Sequence, residues 1–120
     1  MSLRAIRGAI QVPANTAEDI AAGVQELISA ILEANKLTPA EVISVFFTST
    51  VDLNAAFPAA ACREMGFANV PLIGSVEVDV PGALDRTIRA MLHVETALTP
   101  EQIAHIYLHG AAALRRDIAQ

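Results

Sequence analysis

Arginine is the residue type that stands out among the side chains able to do chemistry. The chain carries seven arginines and one lysine, Lys36, although its formal net charge is −5. A planar guanidinium can hold a carboxylate through two parallel hydrogen bonds, which an ammonium group cannot do. The excess of arginine therefore suits the binding of an acidic small molecule, but a compositional bias would give the same count. The positions of the arginines in the fold must decide between these two explanations. The seven are Arg4, Arg7, Arg63, Arg86, Arg89, Arg115 and Arg116.

The other common catalytic devices have little support in the sequence. His105 and His109 have the spacing of a helical metal-binding pair, but on a strand they would lie about 13 Å apart, too far to share one ion. No serine stands in a G-x-S-x-G turn, no glycine-rich phosphate loop is present, and Cys62 fits a small buried residue better than a nucleophile. A triad assembled from distant positions stays open at this point. We expect neither a metal nor a cofactor, which leaves the arginines and one well-placed acid, Glu77.

Strand periodicity indicates which way two candidate side chains face. In Thr87–Glu95 every second residue is apolar, which places Arg89 on the face opposite the core. In the stretch that follows His105, the same alternation places Tyr107 on a non-core face. For either residue taken singly, a solvated sheet face is the simpler explanation. The apolar set of the first stretch is Ile88, Ala90, Leu92 and Val94.

The elements that must position these residues are predicted to be five strands and one long helix. Asn15 and Thr16 offer N-caps for an amphipathic helix of about five turns, whose apolar residues recur at helical spacing as far as Leu32. A second, short helix is predicted over Phe57–Gly66. The predicted strands are Leu3–Val12, Val42–Ser49, Val70–Val78, Thr87–Glu95 and His105–Leu114.

Two Thr-Pro segments repeat one local signature. Thr38–Glu41 and Thr99–Gln102 each combine a threonine cap, a proline at the first helical position and an acid or amide three residues after the cap. Each predicts a helical turn that leads into a strand. The predicted fold class is therefore α+β, a mixed sheet of about five strands packed on one long helix. That helix can cover one sheet face over roughly 30 Å. The other face must then be covered by self-association with further copies of the chain, by short helices or by loops.

Composition bounds the remaining possibilities. With 120 residues and 53% apolar content, we expect residues 1–120 to form a single domain. No apolar run reaches the length of a membrane span and the first residues lack the apolar stretch of a signal peptide, so we expect a soluble cytoplasmic protein. The acidic net charge argues against a nucleic-acid partner, which would require a basic surface.

Several stretches, taken in order, resemble the small monofunctional chorismate mutases of the trimeric class. Each stretch is a weak signal by itself, but their order and spacing over most of the chain make a specific match. The stretches are Arg4–Ala9, Asp52–Ala59, Arg63–Glu64, Val70–Leu72, Glu77, Pro81–Gly82, Ile88–Arg89, His105–Leu108 and Leu114–Arg115.

The resemblance implies a homotrimer, a pseudo α/β-barrel assembly with active sites between subunits, and no cofactor. Its activity would be the [3,3] rearrangement of chorismate to prephenate in aromatic amino acid biosynthesis. A pericyclic step needs no proton transfer, so the protein can help only by holding the dicarboxylate in its reactive conformation and by stabilising charge as the ether bond breaks. Arginine side chains suit both tasks.

Roles for individual residues follow from the same resemblance. Arg89 would donate to the ether oxygen, Arg7 and Tyr107 would hold a carboxylate, and Glu77 would accept the substrate hydroxyl. Further substrate-binding residues would be Phe57, Ala59 and Arg63 from the neighbouring subunit, Ile73 and Gly74 on a strand, and Leu114 and Arg115 on a closing tail. As purely structural alternatives, Arg7 would pair with a surface acid, Phe57 would lie in the core, and Arg115 would be a solvated terminus.

Two positions depart from the pattern of this family. Ala60 stands where a lysine is common, and Gly74 stands where a cysteine or another small polar residue is common. Because Gly74 and Glu77 have opposite strand parity, we expect a β-bulge between them. Two other readings stay open: a non-mutase trimer that binds carboxylates or is imine-deaminase-like, and a purely structural oligomer with arginines in its interface.

Overall fold

The structure is a computed structural model that describes residues 1–114, and it alternates strands with helical segments. Strand β1 (Ser2–Gln11) leads into helix α1 (Ala17–Ala34), and Thr16 caps that helix by accepting a hydrogen bond from the Asp19 N–H at 3.1 Å. The remaining elements are β2 (Val42–Ser49), α2 (Pro58–Arg63), β3 (Leu72–Val76), β4 (Thr87–Thr96) and β5 (Ile106–Leu108).

Both predicted capping signatures form single 3₁₀ turns, at Pro39–Glu41 and Pro100–Gln102. In each, the side chain three residues after the threonine accepts a hydrogen bond from the threonine N–H, and in the first turn the Thr38 hydroxyl also accepts the Ala40 N–H at 3.3 Å. The first turn leads directly into β2. The second comes three residues before β5, as the sequence predicts.

The five strands form one mixed sheet in the order β3-β2-β4-β1-β5. The central strand β4 runs antiparallel to both of its neighbours, β1 and β2, while β5 and β3 pair in parallel with β1 and β2 at the two edges. A mixed five-stranded sheet with helices confirms the α+β class. Among residues 1–114, no helix is long and apolar enough to cross a membrane.

Helix α1 covers one face of this sheet and forms the core with it. The apolar alternation predicted for β4 is confirmed, because its four apolar residues are all buried in that core. Gly8 of β1 allows the close approach of helix and sheet, since a Cβ there would lie 2.8 Å from the Ile31 side chain and 2.9 Å from the Ile106 carbonyl oxygen. The main buried apolar residues of α1 are Ile20, Val24, Leu27, Ile28 and Ile31.

The predicted last strand is too long. β5 ends at Leu108, and the chain turns at His109, where φ is +55°, into a 3₁₀ helix over His109–Ala113. Glycine and a run of alanines have weak strand preference, so nothing in this segment holds an extended backbone. Gly110 also leaves room for the Gln11 side chain, whose oxygen occupies the position that a Cβ at residue 110 would take.

The bulge predicted between Gly74 and Glu77 is also wrong. β3 keeps a regular register with β2 from Leu72 to Val76, and Gly74 lies opposite Phe47. Glu77 comes just after the strand, where its N–H donates to the Ser49 carbonyl at 2.8 Å. Gly74 and Glu77 face opposite sides of the sheet and border different cavities. The irregular register lies instead in β2, between Val42 and Ser44 opposite β4.

Candidate active site

The face of the sheet that α1 leaves uncovered carries the polar side chains of interest, and we call it the open face. The register sets Arg89 opposite Thr48 on neighbouring strands, and Tyr107 opposite Ala9. Arg7 faces the same way, since it pairs with Met91, two residues from Arg89. Strand pairing therefore brings together side chains that are far apart in the sequence.

Glu77 and Arg89 form the central contact of the open face. The Arg89 Nε lies 3.6 Å from the Glu77 Oε2, and the two side chains are 44% and 30% exposed. The Thr48 hydroxyl donates to the same Oε2 at 3.1 Å, and the Val78 N–H donates to Oε1 at 3.0 Å. Both carboxylate oxygens are thus held by neutral donors, while the guanidinium remains half-exposed and accessible to a ligand.

A cavity of about 200 Å³ opens at this contact and is bordered by Arg7, Glu77, Arg89 and Tyr107 together. Within residues 1–114 the Arg7 guanidinium has no acidic partner at ion-pair distance. The alternative that Arg7 pairs with a surface acid therefore has no support in this part of the chain. The cavity can therefore offer two guanidinium groups to an acidic ligand. Sequence reasoning missed the five other lining residues, which are Gly8, Phe46, Thr48, Ala90 and Met91.

Tyr107 has the predicted parity but not the predicted exposure. It is 5% exposed and packs with Ala9 and Ala111 in a small apolar cluster separate from the main core, with Leu114 against its edge. The 3₁₀ helix that replaces the end of the predicted strand covers this part of the open face. Leu114 therefore packs against the cluster that contains Tyr107, whereas Arg115 lies outside the described residues.

The other predicted substrate-binding residues line a second and larger cavity of about 770 Å³. This cavity lies between α2, the loop before it, β2 and β3, and Thr48 also borders it. Phe57 is 82% exposed, which contradicts its alternative assignment to the core. The predicted residues found here are Phe57, Ala59, Arg63, Ile73 and Gly74, together with Ala60.

One chain therefore divides the predicted site residues between two cavities. Arg7, Glu77, Arg89 and Tyr107 do not border the second cavity, and Phe57 and its neighbours do not border the first. Among residues 1–114, no three His, Cys, Asp or Glu side chains are grouped closely enough to hold a metal ion.

Two ionisable groups near these cavities have shifted pKa values. Burial raises the pKa of the Cys62 thiol to about 12, although the nearby Arg63 charge opposes the shift. For Asp52, the raising effect of burial is outweighed by hydrogen bonds from Thr50 and from backbone N–H groups, so its pKa lies below 3.8. Asp52 accepts the Arg86 N–H at 2.9 Å and so fixes the turn that precedes β4 and Arg89.

Comparison with known proteins identifies the family. A sequence model of "Chorismate mutase type I" matches residues 3–118. The chain is 39% identical over 120 residues to chorismate mutase AroH of Bacillus subtilis, covering 99% of this chain and 94% of that protein. It is 43% identical over 117 residues to chorismate mutase AroH of Thermus thermophilus, covering 97% and 96%. A solved chorismate mutase from Clostridium thermocellum superposes with a TM-score of 0.90 at 46% identity, covering 92% and 98%. The chain belongs to the type I chorismate mutases.

Proposed function

We propose that this chain rearranges chorismate to prephenate at the Glu77–Arg89 contact on the open face of the sheet. The observation that carries the proposal is the convergence of Arg7, Glu77, Arg89 and Tyr107 on one cavity, in a chain whose relatives are chorismate mutases along its whole length. The same full-length similarity does not favour the carboxylate-binding or imine-deaminase-like alternative.

The chemistry requires only positioning and electrostatic stabilisation. In the [3,3] shift one carbon–carbon bond forms while the ether carbon–oxygen bond breaks, and no proton is gained or lost. Negative charge grows on the ether oxygen as the bond breaks, so the half-exposed Arg89 guanidinium stabilises the transition state more than the ground state. Arg7 and Tyr107 hold a carboxylate of the substrate, which restricts it to the reactive conformation.

Glu77 has the complementary role of accepting the substrate hydroxyl. Its contacts with Thr48 and the Val78 N–H fix the carboxylate plane, and each carboxylate oxygen can accept more than one hydrogen bond. The pair therefore works as a unit, in which Glu77 orients both the substrate hydroxyl and the Arg89 guanidinium.

We further propose that the active unit is a homotrimer with its sites between subunits. Support comes from the division of the predicted residues between two cavities and from the exposure of Phe57, which one chain leaves without a partner surface. In the assembly, the cavity that carries Phe57, Ala59 and Arg63 faces the Glu77–Arg89 cavity of a neighbour. A cytoplasmic location fits the lone, buried thiol of Cys62.

The direct test is the loss of chorismate and the formation of prephenate by purified protein, with no metal or cofactor added. We expect Arg89→Ala to lower kcat/KM by about a hundredfold or more, the size typical of a lost transition-state donor, with the fold intact by circular dichroism. Arg4→Ala is the matched control, because Arg4 contacts the Leu98 carbonyl away from the cavity. Near-normal turnover by Arg89→Ala would overturn the proposed role, and an inactive wild-type protein would overturn the activity.

Subunit mixing tests the location of the site. Inactive Arg63→Ala and inactive Arg89→Ala chains are mixed under conditions in which subunits exchange. If each site combines Arg89 of one chain with Arg63 of another, mixed trimers contain some sites with both arginines, and activity returns. Inactive mixtures with proven exchange would place both residues in the site of one chain.

A further inference from the structure

On the β5 side of strand β1, the N–H of Arg7 is bound by a side chain rather than by a backbone carbonyl. β5 begins at Ile106, opposite Gly8, so no residue of β5 pairs with Arg7. The Arg7 N–H instead donates to the Nδ1 of His105 at 2.9 Å. The imidazole therefore takes the place of the carbonyl acceptor that one more residue of strand would supply.

The residue before His105, Ala104, is bound by a buried asparagine side chain. The Asn35 side chain, 3% exposed at the end of α1, accepts the Ala104 N–H at 2.8 Å and donates to the Ala104 carbonyl at 3.0 Å. It also donates to the Ile31 carbonyl at 2.9 Å. Both backbone groups of the residue before His105 are thus tied to the C-terminal turn of α1, which fixes where β5 begins.

We propose that His105 is a positioning residue for Arg7 and that Asn35 anchors His105 through Ala104. The inference rests on the proposed role of Arg7 in holding a substrate carboxylate. A chain of contacts runs from α1 through Asn35, Ala104 and His105 to the Arg7 backbone, whose side chain borders the cavity. The acceptor role requires a lone pair on Nδ1, so His105 acts as the neutral tautomer with its proton on Nε2.

The position of the acceptor atom supplies a sharp test. In His105→Asn, the amide Oδ1 stands as many bonds from the backbone as Nδ1 and can accept the Arg7 N–H. In His105→Gln, the acceptor oxygen lies one bond further out, at the level of Nε2. We expect His105→Asn to retain kcat/KM within about threefold, and His105→Gln to lose about tenfold, mostly through a higher KM, the size expected for one unsatisfied donor.

Two further measurements separate positioning from general damage. In an Arg7→Ala background, His105→Gln should add less than about a twofold loss, because its effect is transmitted through Arg7. Amide hydrogen exchange should show Arg7 protected in wild type and His105→Asn but faster in His105→Gln, and this readout does not depend on turnover. It therefore tests the hydrogen bond even if the protein proves inactive on chorismate.

The proposal is overturned by equal activity of the Asn and Gln variants, whether both are normal or both impaired. It is also overturned by a full, additive loss in the Arg7→Ala background. Unchanged exchange of the Arg7 amide in His105→Gln would show that another group holds this backbone. Thermal unfolding of both variants, measured at one protein concentration, confirms that the comparison is between folded proteins.

Discussion

Asn35→Ala should destabilise the fold by far more than a surface asparagine does. The change removes three hydrogen bonds, but the Ile31 carbonyl still accepts the residue-35 N–H at 3.2 Å and is not orphaned. Two groups, the N–H and C=O of Ala104, lose their partner. At about 1–3 kcal/mol for each unsatisfied buried group, discounted because Ala104 is only half-buried, we expect a loss of about 2–4 kcal/mol. That is a large share of the roughly 5–15 kcal/mol that holds a typical domain together.

The chain offers a matched control in Asn15→Ala. Asn15 also makes three hydrogen bonds, accepting the N–H groups of Asn54 and Ala55 at 3.0 Å each and donating to the Asn54 side chain at 2.7 Å, but it is exposed. Water replaces its contacts, so we expect a loss below about 1 kcal/mol. Urea unfolding at one fixed protein concentration, with the m-value checked for change, measures both. Equal losses in the two variants would refute the assignment of Asn35 as a buried anchor.

Two further predictions concern single side chains near the cavities. Thr48→Val keeps the shape but removes the donor to Glu77, and we expect kcat/KM to fall about fivefold, while Thr48→Ser, which keeps the hydroxyl, stays near wild type in the same chorismate assay. Cys62 should resist iodoacetamide in the native state and react once urea unfolds the chain. Because folding raises its pKa from 9.0 to about 12, the stabilising contribution is complete below pH 9.0 and declines as the pH rises toward 12. An unchanged urea midpoint between about pH 8.5 and about pH 10.5 would contradict this expected loss of stability.

Sequence periodicity predicted the elements that have a strong two-sided pattern. The alternation in β4 identified the face of Arg89 correctly, because burial on one side enforces that register. The capping residues around Thr38 and Thr99 predicted both 3₁₀ turns, since that signal is local. Such patterns need no knowledge of the rest of the chain.

Features that depend on contacts between distant segments were not predictable in the same way. The end of β5 depends on where the 3₁₀ helix after His109 packs, and the pairing of Thr48 with Arg89 depends on a register that shifts within β2. His105 is the clearest case. The sequence offered it as half of an unsuitable metal pair and as the first residue of a strand and of a family motif, with no role of its own. Its contact with the Arg7 N–H exists because β5 starts one residue later.

The exposure of Phe57 links assembly to catalysis in the proposed trimer. Burying a phenylalanine side chain that one chain leaves 82% exposed contributes roughly 1.5–3 kcal/mol, and a closed ring of three copies gains this contribution at three equivalent contacts. The same contact would bring Arg63 toward the Glu77–Arg89 pair of the neighbour. The interaction that stabilises the assembly would then also complete the site, so a monomer with an intact sheet would hold the acid and the arginine of the open face without the wall that confines the substrate.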